Sequence, residues 1–336
     1  MAVFSIVAFC CAVNAQEATG RVHAVIISGG MNKLMNHERY WNDYAFLYRT
    51  LREDYHFSRQ DITLLISDGG EVGRDMLLAD GSGFASSPAD LDGDGERDVW
   101  LPATLSQVTT SLTELAAKLT TSDRLFLFLI DHGGFDEDRQ QVYAWLWGSE
   151  RLYDSQLARL LDAFHVASMS IVTGMCHSGG FIDDLQRENR IIAASCADHE
   201  DSWACRDKPY DEFVYHWTCA VAGHDPEGNT VAADVNGDGY VSMAEAFDYA
   251  YQHDQREETP QYSSTSVTLG EQWSLSQLPD GIGERPLDNS EANCRSYDLQ
   301  GRTIPIPSGV KGKHLKMLNA KQSFRLSPII IIKPSR

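Results

Sequence analysis

Positions 22–28 (VHAVIIS) are almost continuously apolar and end in Gly29-Gly30. Alternate residues of a strand point to opposite faces, so a short run that is apolar throughout predicts a strand buried on both sides. Residues 62–66, 125–130 (LFLFLI), 169–173 and 191–195 repeat the pattern. Between these runs the apolar residues change period. Trp41, Tyr44, Ala45, Tyr48, Leu51 and Tyr55 recur at helical spacing, as do Leu105, Val108, Leu112, Leu115 and Leu119, and then Leu157, Leu160, Leu161 and Phe164. Residues 142–147 read as a hairpin. Strand–helix alternation predicts an α/β fold, a parallel sheet with helices on both faces. Such folds carry their sites at the carboxyl ends of the strands.

Two of those ends carry reactive side chains. The third strand ends in Asp131-His132-Gly133-Gly134 and the fourth in Met175-Cys176-His177-Ser178-Gly179-Gly180. A thiol attacks only as thiolate, and an imidazole beside it can take its proton. Gly133 leaves its N–H free to approach a carbonyl oxygen, and the Cys176 N–H can join it as an oxyanion hole. Taken singly, a buried Cys is a small hydrophobe and a strand-end His a hydrogen-bonded surface group. Their matching positions argue for a Cys176–His132 dyad. His177 competes as the base, but neighbouring residues of an extended chain point to opposite sides.

An apolar strand ending in His-Gly, then one ending in Cys, resembles the caspase-like cysteine peptidases. Within them the chain is most similar to the legumain family, which also contains the glycolipid-anchor transamidase. Residues 23–43 (HAVIISGGMNKLMNHERYWND), 193–205 (AASCADHEDSWAC) and 211–217 carry further similarity, and the whole spans residues 20–265. The resemblance implies a caspase-like fold and a dyad endopeptidase acting on peptide or protein substrates. It also implies a pocket built from Arg39, Ser202 and Glu212, Glu212 standing for an Asp of the family. The family's acid two residues before the nucleophile is Gly174 here, so its residue preference does not carry over.

Two acidic loops suggest a cofactor. Asp234, Asn236, Asp238, the Tyr240 carbonyl, Ser242 and Glu245 fall at positions 1, 3, 5, 7, 9 and 12 of an EF-hand-like calcium loop. Asp90, Asp92, Asp94, Glu96 and Asp98 begin a second such loop, with Leu101 where the twelfth-position carboxylate would stand. Ca2+ is therefore expected as a structural ion.

Charge and termini complete the picture. The formal charge of the 336 residues is −20. Residues 311–336 hold seven of the 28 basic residues and no acidic one, leaving 21 basic against 48 acidic elsewhere. So acidic a body argues against nucleic acid. Residues 2–13 are nearly all apolar, and Val13-Asn14-Ala15 resembles a signal cleavage site, although no Lys or Arg precedes the run. The run is too short to span a bilayer. The expected organisation is a signal peptide at 1–15, a peptidase domain at 16–275, a linker at 276–295 and a basic segment at 296–336. That segment opens with Ser-Tyr-Asp-Leu-Gln-Gly-Arg at 296–302, similar to bacterial sorting tails. Secretion, or a periplasmic or cell-surface place, follows. In an oxidising compartment Cys196 and Cys205, which flank one loop, are expected to pair, with Cys219 and Cys294 as a second bridge. The leading reading is a secreted cysteine endopeptidase. A transpeptidase of the same family and a retired, calcium-binding surface protein are the alternatives.

Overall fold

The computed structural model describes residues 20–277 and the backbone of an antiparallel pair at Ser296–Tyr297 and Thr303–Ile304. The signal peptide, most of the linker and most of the basic segment lie outside the described residues.

The strands fall where the apolar runs predict. They are β1 (Val22–Ser28), β2 (Ile62–Ile66), β3 (Arg124–Ile130), a three-stranded meander of β4 (Gly133–Asp136), β5 (Gln141–Leu146) and β6 (Glu150–Tyr153), then β7 (Ser168–Gly174), β8 (Arg190–Ala194) and β9 (Gln261–Ser264). The main sheet runs β9-β8-β7-β3-β1-β2, and all neighbours are parallel except β9 against β8. β9 (QYSS) is polar in sequence and was not expected. As an antiparallel edge strand it needs less apolar character than the buried centre.

Alternation across β3 explains its unbroken apolar run. Phe126, Phe128 and Ile130 pack on one face with α1 (Glu38–Arg49), α5 (Glu212–Ala222) and α6 (Met243–His253). Leu125, Leu127 and Leu129 pack on the other with α2 (Leu105–Lys118), α3 (Asp154–Leu161) and α4 (Phe181–Leu185). Phe126 stacks on Trp217 of α5, ring centroids 5.6 Å apart. α1 runs on as a wider π-turn over Thr50–Asp54, which buries Leu51 at the expected spacing. α7 (Val267–Gln272) follows β9.

Two expectations meet further detail. At 276, the expected start of the linker, the chain is held on the domain. Arg124 donates to the Ser274 and Ser276 carbonyls (3.1 and 2.7 Å), and the Gln277 amide bonds both the N–H and the C=O of Val22, each at 3.0 Å. The Cys196–Cys205 bridge is absent, since both thiols are free. Cys196 points into the fold, with Sγ 3.3 Å from the carbonyls of Met175 and Glu200, while Cys205 bonds the Glu212 carboxylate. Cys294 lies outside the described residues.

Candidate active site

Sheet register assembles the site. Ser28, Ile130 and Gly174 form one row across β1, β3 and β7. His132 and Cys176 each lie two residues beyond it on adjacent strands. The contact is so close that a Cβ on Gly133 would lie 2.2 Å from the Cys176 carbonyl oxygen.

Asp131, buried at the row's end, fixes this corner. Its carboxylate accepts the His132 N–H at 2.6 Å, the Gly30 N–H and the Ser28 hydroxyl. Burial pushes its pKa up to about 7. Sequence reasoning did not give Asp131 a role, because two of its partners, Ser28 and Gly30, come from the end of β1 and the turn after it.

The His132 ring stands edge-on to His37 and Tyr40, with centroids 5.4 and 5.3 Å away. Its Nε2 lies 3.1 Å from the Met35 carbonyl. A carbonyl only accepts, so Nε2 carries the proton and Nδ1 of the neutral ring is left as the acceptor. Burial and the Arg39 charge hold His132 down at about 4. Cys176 Sγ faces the Ser202 carbonyl at 3.9 Å. Burial pushes its thiol up to about 11, with Asp201 and Asp211 adding to the rise. Near neutral pH the resting pair is therefore thiol and neutral imidazole.

Two backbone donors at this corner are left unused by the sheet. Trp145 N–H bonds the His132 carbonyl (2.9 Å), which makes Gly133–Ala144 a non-hydrogen-bonded pair of the β4–β5 ladder. The Gly133 N–H is therefore directed away from β5. Among the described residues the Cys176 N–H meets no acceptor. His177 takes the unusual turn its role would need, with φ +62°, but its Nδ1 bonds the Asp198 carbonyl at 2.7 Å and its N–H the Glu200 carbonyl. Its ring is thus committed to the 198–200 loop.

The residues expected to form a substrate pocket are partly rearranged. Arg39 pairs with Asp211 (2.6 Å), not with Glu212, and also donates to the Tyr40 hydroxyl at 2.7 Å. Burial works against the Arg39 charge, yet the Asp211 carboxylate more than offsets this and raises its pKa. The Asp211 N–H in turn bonds the Asp43 carboxylate at 3.1 Å. Glu212, one residue on, lies 3.6 Å from His216 and accepts the Gln255 N–H at 2.9 Å. Adjacent residues at a helix start face different ways, so the partner of Arg39 is Asp211 and not Glu212. Gly174 also acquires a reason: a Cβ there would fall 2.5 Å from Val214 Cγ1, leaving no room for an acidic side chain.

The acidic loops differ. Asp90, Asp92 and Asp98 bring carboxylate oxygens within 4.8 Å of one another. Asp94 and Glu96 turn outward to Arg59, which also bonds Asp98 at 2.9 Å. In the second loop Asp234 accepts the Gly237, Asp238 and Gly239 N–H groups. Asn236 accepts from Asp238, and Asp238 from Tyr240. Glu245 closes a capping box on Ser242 (2.9 and 2.8 Å) and accepts the Val235 and Asn236 N–H groups with its other oxygen.

A parallel-centred sheet, helices on both faces, and a strand-end His beside a strand-end Cys define a caspase-like α/β fold. Residues 106–268 match the model of the Peptidase C13 family, the legumain family of cysteine peptidases, and this stretch contains His132, Cys176, Ser202 and Asp211. The match covers just under half of the chain and leaves out Arg39 and the first acidic loop. A solved Geobacter sulfurreducens protein superposes with a TM-score of 0.45 at 12% identity, over 77% of this chain and 100% of that one. No curated protein matches the sequence. Among the described residues no helix is long and apolar enough to cross a membrane.

Proposed function

We propose that the protein is a secreted cysteine endopeptidase with Cys176 as nucleophile and His132 as base. The observation that carries this reading is the β3–β7 register, which ends both strands at one corner with His132 Nδ1 as the unprotonated ring nitrogen. The thiol proton passes to Nδ1 as sulfur attacks the peptide carbonyl. The Gly133 and Cys176 N–H groups donate hydrogen bonds to the developing oxyanion; one such donor is worth ~2.7–4 kcal/mol in measured cases. Collapse breaks the C–N bond, and His132 returns its proton to the leaving amine. Water then attacks the thioester, His132 again taking and returning a proton, and the acid leaves. Ser202, Arg39 and Asp211 line the substrate side.

Calcium is the structural ion of this reading. All donors in both loops are oxygens, which suits a hard cation. Asp90, Asp92 and Asp98 already converge and fit it. The second loop would hold it through Asp234, Asn236, Asp238, the Tyr240 carbonyl, Ser242 and Glu245, once Glu245 leaves its cap.

The test is cleavage of a peptide library. Cys176→Ala and His132→Ala should each abolish cleavage while melting as the parent does. On the acid side, activity should fall as pH drops towards about 4, where His132 takes up a proton. Full activity in either variant overturns the dyad.

A further inference from the structure

The chain between α6 and β9 passes behind the Ser202–Trp203 segment, whose Ser202 carbonyl faces the Cys176 thiol. Glu258 Oε2 accepts the Trp203 N–H at 2.9 Å, and the Ser202 hydroxyl approaches the same carboxyl. Asp254, the C-terminal cap of α6, accepts the Arg256 N–H at 2.8 Å through Oδ1. The remaining oxygens, Asp254 Oδ2 and Glu258 Oε1, are buried and meet no donor. The two carboxyl groups lie within hydrogen-bonding reach of each other. Ionised carboxylates only accept, so that contact requires a proton on one of them.

Among the described residues no ion pair is formed with either carboxyl. Arg256 lies over the Trp203 ring at 5.1 Å. From α5, Glu212 adds negative charge and His216 opposes it. The Cys196 thiol lies within electrostatic reach of Glu258. Glu200 is occupied by Thr259 and the Ala197 N–H. Burial, then the Asp254 charge, push Glu258 well above the ordinary carboxyl range, and burial raises Asp254 too.

We propose that Asp254 and Glu258 share one proton and thereby hold the Ser202–Trp203 segment against Cys176, so that losing the proton loosens this wall of the site. Both are positioning residues. Their effect on catalysis rests on the reading of Cys176 as nucleophile; the pair itself does not.

A carboxyl whose folded pKa is raised gives stability that is full below the ordinary carboxyl range and is lost as pH rises towards the raised value. Glu258→Gln makes the shared hydrogen permanent, since its amide can donate to Asp254 and still accept from Trp203. Melting temperatures of the full chain would be compared from about pH 5 to about pH 9. The wild type should fall progressively below E258Q as pH rises, and parallel curves overturn the proposal. Iodoacetamide labelling of Cys176 should show a pH step in the wild type that E258Q lacks; equal steps overturn it. E258A, which loses the acceptor for Trp203, should fall about tenfold or more below E258Q in kcat/KM. Equal values overturn the positioning role. If E258Q fails to fold, D254N carries the same melting comparison. Cleavage surviving in Cys176→Ala would sink the peptidase reading alone, because the melting curves do not depend on it.

Discussion

The dyad corner and the acidic loops are both short runs of reactive side chains, but they are assembled in opposite ways. His132 and Cys176 are 44 positions apart and meet because β3 and β7 pair in one parallel register. A slip of one residue would turn every side chain of a strand to the other face, so the corner is fixed by the whole sheet. Each acidic loop instead folds within about a dozen residues on its own Asx turns. What long-range structure adds to a loop is a competitor or a neighbour, as Arg59 does at 90–98. Chemistry held by register is rigid and easily broken. Chemistry held by local turns is tolerant, and its occupancy depends on solution conditions.

The sharpest way to break the contrast is Gly133→Ala. Its Cβ would overlap the Cys176 carbonyl, so strand end and oxyanion donor must both shift, and kcat should fall by ~100-fold or more. Near-parental kcat would show that the corner tolerates movement.

Next comes the buried Arg39–Asp211 pair. Removing one partner leaves the other charge unpaired, which costs about 3–5 kcal/mol in buried pairs. Arg39→Gln should shift the library preference towards basic residues and Asp211→Asn towards acidic ones. A profile that moves in neither variant would remove both from the substrate side.

A smaller effect is expected at the loops. Calcium bound only to the folded chain adds ~2.7 kcal/mol at a hundredfold excess over Kd. Melting with calcium and with chelator should differ, and Asp98→Asn and Glu245→Ala should each remove part of the difference. An unchanged shift in Asp98→Asn would show the first loop empty. The smallest effect is His177→Ala, which should cost under about tenfold in kcat. A larger loss would reopen the choice of base.

The legibility of the fold followed the same division. The five parallel strands are visible because burial on both faces demands unbroken apolar runs, and the placement of His132 beside Cys176 follows from where β3 and β7 stop. β9 escaped because an edge strand can be Gln-Tyr-Ser-Ser. Asp211 escaped although the adjacent Glu212 was chosen: which of two neighbouring acids faces Arg39 depends on the rotation of α5, and no sequence pattern encodes that. Asp131 and the Met35 carbonyl act on groups from distant segments, so their roles appear only when the sheet is formed. The Asp254–Glu258 contact is equally silent, since two acids four positions apart ordinarily read as solvated.

The Gln277 side chain gives one practical consequence. Its amide satisfies both backbone groups of Val22, while Trp273 and the Ser274 and Ser276 carbonyls surround Arg124 at the start of β3. This turn of chain thus latches the beginnings of β1 and β3, which makes Gln277 the natural limit for trimming. Removing residues after it leaves the latch whole. Cutting back past Ser274 strips two acceptors from Arg124 and the cap from β1 together, so a shortened protein should pass from robust to protease-sensitive over those four residues.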